Sequence, residues 1–192
     1  MPGLYAMHTA VMPHGRGEIV MEGSKQAFYM MFTQTDCVEI LTHCPDGNVA
    51  AKAGARASGM RMDWIADGAY PNNGHLVDCE IYSLKITDWI LQSPFVEQIG
   101  VWFHKRLREI YESLGINLEE HSIDRNHNKV VGAAVAMIAA GQVYKGISIY
   151  NRWAVMSSHD PVFCISTNPI VISLGSVSLK MKNGEIEGEL CQ

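Results

Sequence analysis

Between Lys129 and Gly141 the chain is apolar and built largely of small residues, with Gly132, Ala133, Ala134, Ala136, Ala139 and Ala140 set among Val130, Val131, Val135, Met137 and Ile138. A helix exposed to solvent would carry charge on one face, so this pattern predicts a buried helix over residues 129–140 that lets another backbone pack close. Asn128 suits its N-cap and Gly141 its stop. A second helix is predicted over residues 94–114, where Phe95, Ile99, Trp102, Phe103, Leu107, Ile110, Tyr111 and Leu114 form one stripe. Ser93 caps it, Pro94 fits its first turn and Gly115 ends it.

Elsewhere the periodicity is weaker. Residues 4–12 read as a strand followed by a turn at residues 13–17. Ser24 suits the cap of a helix carrying Phe28, Met31, Phe32 and Val38, and Asn48 opens an alanine-rich helix weakened by Gly54 and Gly59. Val77, Cys79 and Ile81 alternate within a predicted strand at 76–86. After Gly141 the pattern turns to period two, with turns at 158–161 and 167–169. An Asn183-Gly184 turn pairs Lys182 with Glu185, Met181 with Ile186, Lys180 with Glu187 and Val177 with Leu190. The predicted class is α+β: a mainly antiparallel sheet with helices packed on one face, and a C-terminal β-meander ending in a hairpin. A doubly wound parallel sheet is disfavoured, because the last strands follow one another without crossover helices.

At 192 residues, without repeats or a linker-like segment, the chain is expected to form a single globular domain over residues 1–192. Its 47% apolar and 18% charged content excludes a disordered chain. A net charge of -5 leaves no footprint for nucleic acid, and the short basic cluster Lys105-Arg106-Leu107-Arg108 reads as a solvated helix face. No run approaches the ~20 apolar residues that span a bilayer, and the N-terminus lacks a signal-peptide pattern. The expectation is a cytoplasmic protein without a membrane partner. Five cysteines, an odd number, are expected to stay reduced. The unpaired edges of a meander predict a homo-oligomer.

Candidate chemistry gathers in three polar stretches. Asp124-Arg125-Asn126-His127-Asn128-Lys129 stands at the entrance of the buried helix, whose unpaired N–H groups and dipole attract an anion. Arg125, Asn128 and Lys129 are the expected ligand-binding residues there, and Asp124 either pairs with Arg125 or orients His127 as the proton carrier, while a solvated loop capped by Asn126 or Asn128 is the simpler reading. In Ser157-Ser158-His159-Asp160-Pro161 the second candidate pair is His159 and Asp160, although neighbours on an extended chain point apart and a plain turn explains the composition. His14-Gly15-Arg16-Gly17 is the third, with glycines that let a backbone approach an anion; His14 and Arg16 are its ligand candidates, and a hairpin turn its simpler reading.

Metal and nucleophile motifs are lacking. Cys37, His43, Cys44, His75 and Cys79 match no zinc spacing, Cys164 sits in an apolar run, and no Gly-x-Ser-x-Gly elbow occurs. No metal and no particular cofactor is indicated. The function expected from sequence is a cytosolic enzyme acting on a small anionic metabolite through His127 or His159, with Asp124 or Asp160 in support, the reaction being lyase, isomerase or hydrolase. A non-catalytic small-molecule sensor or accessory protein, and a structural assembly component, are the alternatives.

Overall fold

The computed structural model describes residues 3–8, 17–115, 125–156, 164–167, 170–174, 177–182 and 185–190, with side chains as far as Ala154. The chain divides into two compact units, Met1–Gln92 and Ser93–Gln192.

In the amino-terminal unit β1 (Leu4–Ala6) leads through α1 (Glu18–Gln34) to β2 (Glu39–Pro45), then α2 (Val49–Ala57), the hairpin of β3 (Arg61–Asn72) and β4 (His75–Lys85), and α3 (Ile86–Gln92). The sheet order is β1-β2-β4-β3. β1 runs parallel to β2, from Leu4 opposite Glu39 to Ala6 opposite Leu41, while β2 with β4 and β3 with β4 are antiparallel. The α+β class holds, and the sheet is mixed. Phe28 and Phe32 of α1, Ile40 and Cys44 of β2, and Ile81, Tyr82 and Leu84 of β4 are buried. Phe32 meets Trp89 of α3 at 5.1 Å between ring centroids.

α1 begins at Glu18, so Ser24 lies inside the helix rather than at its cap. The long apolar face of Phe28 and Phe32 overrides the local preference of one serine. Asn48 behaves as its chemistry predicts, its side chain accepting from the Ala51 N–H at 3.1 Å. The β3–β4 turn places Asn73 at φ 49 and Gly74 at φ 83, the left-handed pair that a two-residue hairpin requires. Strand β3 forms one edge of the sheet and slips register between Met62 and Trp64 and again between Ala66 and Tyr70.

The carboxy-terminal unit contains α4 (Pro94–Ser113), α5 (Arg125–Ala139) and α6 (Val143–Met156). β5 (Cys164–Thr167), β6 (Ile170–Leu174), β7 (Val177–Lys182) and β8 (Glu185–Leu190) follow as an antiparallel sheet in that order. Every residue of α5 from Lys129 to Ile138 is buried. α6 corrects the expectation that strands begin after Gly141. Its buried positions Gly146, Tyr150 and Ala154 recur every four residues, a helical period hidden in sequence by the interspersed β-branched and aromatic residues.

Glycines let these helices touch along their backbones. A methyl group at Gly100 of α4 would overlap the Asn128 carbonyl oxygen of α5, and one at Gly132 of α5 would overlap the Val96 carbonyl oxygen of α4. At Gly146 of α6 it would stand 2.7 Å from the Ala134 carbonyl oxygen. Replacing Gly132 with alanine is therefore expected to lower stability by about 1–3 kcal/mol or more, as overpacking does. Gly54→Ala, on a helix of the other unit with nothing within 4 Å of the new methyl group, is expected to raise it by roughly 0.5–1 kcal/mol. Urea titration of both variants checks the opposite signs.

Candidate functional site

Two groups of polar side chains stand out, one in each unit. In the carboxy-terminal unit α5 starts at Arg125, a turn earlier than the sequence predicts, so Asn128 lies within the helix and is not its cap. The close approach of α4 explains the difference: the Asn128 carbonyl is the group packed against Gly100, and that tertiary contact outweighs a local capping preference. Arg125 Nε donates to Glu97 Oε1 of α4 at 2.7 Å, and Lys129 Nζ lies 3.9 Å from Glu97 Oε2. Lys129 is only 8% exposed. The hydrogen bond from Arg125 holds the Glu97 carboxyl below its ordinary range, and Glu97 in turn raises the Arg125 guanidinium. The helix entrance thus meets a carboxylate supplied by the same unit.

His127 stands among rings. Its centroid is 5.2 Å from His104 of α4, edge-on at 88°, and 4.9 Å from Trp153 and 6.3 Å from Tyr150, both of α6. Burial, and after it the neighbouring His127, push the His104 imidazole down to about 4. Burial raises the Tyr150 hydroxyl. His104 Nε2, Asn128 Oδ1 and Asn151 Oδ1 are buried without a hydrogen-bond partner among the described residues. Sequence reasoning missed Glu97 and His104, which lie on α4 and meet α5 only through the folded helix pair.

In the amino-terminal unit the parallel strands β1 and β2 each lead, at their carboxyl ends, into the N-terminus of a helix. For α2 the Asn48 side chain caps that terminus. For α1 the capping residue is Gly17, at φ 79, which has no side chain to cap the first turn. The expected turn at His14-Gly15-Arg16 lies outside the described residues, which resume at Gly17. At this same end His8 and His43 stack, with centroids 5.9 Å apart and planes 15° from parallel. His8 drew no attention in sequence, because only the β1–β2 register brings it beside His43. Close by, Lys52 of α2 bridges Asp46 at 3.0 Å and Glu80 at 2.9 Å, and Glu80 also accepts from the Tyr82 hydroxyl at 2.6 Å. Those two donors, Tyr82 first, hold the Glu80 carboxyl below its usual range.

Asp124, His159, Asp160, His14 and Arg16 lie outside the described residues. Cys37, Cys44 and Cys79 are buried free thiols, and burial raises the pKa of the Cys44 and Cys79 thiols. Among the described residues no group of three or more histidine, cysteine, aspartate or glutamate side chains is placed to hold a metal, and no helix is long and apolar enough to cross a membrane.

No protein-family model matches the chain, and no curated protein does. Solved structures match part of it. The microcin C7 self-immunity acetyltransferase MccE, in complex with acetyl-CoA and AMP, is 20% identical over 42% of this chain and 46% of its own, with a TM-score of 0.40. A mutant form of the spermidine N-acetyltransferase SpeG from Vibrio cholerae is 15% identical over 44% of this chain and 50% of its own, with a TM-score of 0.41. The chain spans about half the length of these structures. The expectation of a lyase, isomerase or hydrolase working on a small anion through His127 or His159 is corrected on this finding, since the matched proteins are acetyltransferases.

His104 gives a pH test of the helical unit. Its folded-state pKa is depressed to about 4, below the ordinary 6.5 of the unfolded chain. Its contribution to stability is complete above pH 6.5 and falls away as acidification charges the unfolded state first, down through about pH 4. Replacing His104 with glutamine is expected to shrink the loss of stability between pH 7 and pH 4. Urea midpoints at several pH values, compared between wild type and variant, measure that slope.

Proposed function

We propose that the β1–α1–β2 crossover holds the pyrophosphate of an acyl-coenzyme A, and that the chain takes part in acyl transfer. The observation that carries this reading is the N-terminus of α1: it follows a parallel strand in the chain and opens at Gly17, a residue in the left-handed region with no side chain to cap the first turn. Free N–H groups in the first turn and the positive end of the helix dipole suit a phosphate, and a glycine leaves room for it to approach the backbone. Arg16, one residue before Gly17, supplies a planar donor for the same anion. Ligands of open α/β sheets bind outside the carboxyl ends of the strands, where α1 and α2 both begin here.

Acyl transfer gives the rest of the ligand its task. The thioester carbonyl is attacked by a nucleophile, its carbon–sulfur bond breaks, and the thiol of coenzyme A leaves with a proton. A pyrophosphate fixed at α1 orients that thioester without taking part in the step. Acetyl-CoA, the ligand named with one of the matched structures, is the first to test.

Acetyl-CoA and coenzyme A are expected to raise the thermal midpoint, by the equivalent of about 2.7 kcal/mol at a hundredfold excess over Kd, and AMP, which lacks the pyrophosphate, to raise it less. Arg16→Ala is expected to weaken acetyl-CoA about tenfold or more with little change in the unliganded midpoint. Calorimetric titration measures both effects. A wild-type protein that does not respond to acetyl-CoA, or an Arg16→Ala variant that binds it equally well, would overturn the reading.

A further inference from the structure

We infer that His8 and His43 form a binding site for a divalent transition-metal ion of the zinc, cobalt, nickel and copper class. The inference stands on the β1–β2 pairing and is independent of acyl-CoA binding. Ala6 lies opposite Leu41, so His8 and His43, each two residues further along parallel strands, fall on the same face of the sheet. The Met7 N–H donates to the Leu41 carbonyl at 2.8 Å, which carries the pairing beyond the last residue of β1. The two imidazoles face each other at 5.9 Å and 15°, and both side chains are exposed.

An ion held by two imidazole nitrogens sits about 2.0–2.1 Å from each. Stacked rings at this spacing reach that arrangement by side-chain rotation alone, with no change in the backbone, because neither ring is packed into a core. Neutral imidazole is a borderline ligand that suits zinc, cobalt, nickel and copper and has little affinity for magnesium or calcium. With two protein ligands, the remaining coordination positions stay open to water or to a small molecule. Bound metal would also clip β1, a strand of 3 residues, to β2 and close the loop that contains α1.

Cobalt(II) makes the test specific, since its visible absorption reports coordination and a thiolate ligand adds an intense near-ultraviolet band. Wild-type protein, kept reduced, is expected to bind one equivalent with visible bands and no thiolate band, and to gain thermal stability. His8→Gln and His43→Gln should each lose that equivalent and the gain in midpoint while keeping the wild-type circular dichroism. His75→Gln, an exposed histidine on β4, should bind as wild type does. Cobalt uptake unchanged in both His8→Gln and His43→Gln, a thiolate band in the wild type, or no uptake by the wild type at millimolar metal would each overturn the site.

Discussion

The parallel pairing of β1 with β2 is the constraint around which the amino-terminal unit is arranged. Two strands running the same way cannot be joined by a tight turn, so the chain must leave the sheet, travel back and re-enter it, and α1 is that return path. The price is a strand of 3 residues whose pairing depends on backbone bonds reaching past its ends, from the Val38 and Glu39 N–H groups to the Gly3 carbonyl and from Met7 to Leu41. What results is polarity: the starts of α1 and α2 and the His8–His43 pair are all delivered to one end of the sheet.

The carboxy-terminal unit rests on a different device. Its helices meet backbone to backbone at Gly100, Gly132 and Gly146, and that closeness leaves little space for the polar groups carried nearby. Lys129 becomes a buried cation within reach of Glu97, and His104 a buried imidazole held neutral at physiological pH. Buried polar groups are costly unless partnered, so such a helix pair is selective about its own register: sliding α4 along α5 would separate Glu97 from Arg125 and drive carbonyl groups into new side chains.

What sequence could reveal follows from the range of the interactions concerned. The Ser93-Pro94 start of α4, the Asn48 cap of α2 and the burial of α5 are decided within a few residues, and the pattern of the chain displays them. The parallel strands are separated by the whole of α1, and Glu97 meets Arg125 across 28 residues, so neither relation leaves a local signature. α6 misled for a physical reason: Val143, Ile147, Ile149, Tyr150 and Val155 favour strands, and only the Gly146–Tyr150–Ala154 spacing, tied to packing on α5, makes them helical.

The register slips in β3 bear on what this edge of the sheet can pair with. Trp64 and Ile65 are about half exposed on this edge strand, at 49% and 52%, and a straight edge carrying such residues would invite another chain to zip along it. The first slip leaves Asp63 unpaired and the second sets Asp67, Gly68 and Ala69 against Asp78 alone; both turn the strand and break the even row of donors and acceptors, and at the second the Gly68 N–H is taken by the Asp78 side chain at 2.8 Å. A visiting strand can then match only a short length before its hydrogen bonds fall out of step. The irregularity acts as a guard against fibrous growth along this edge.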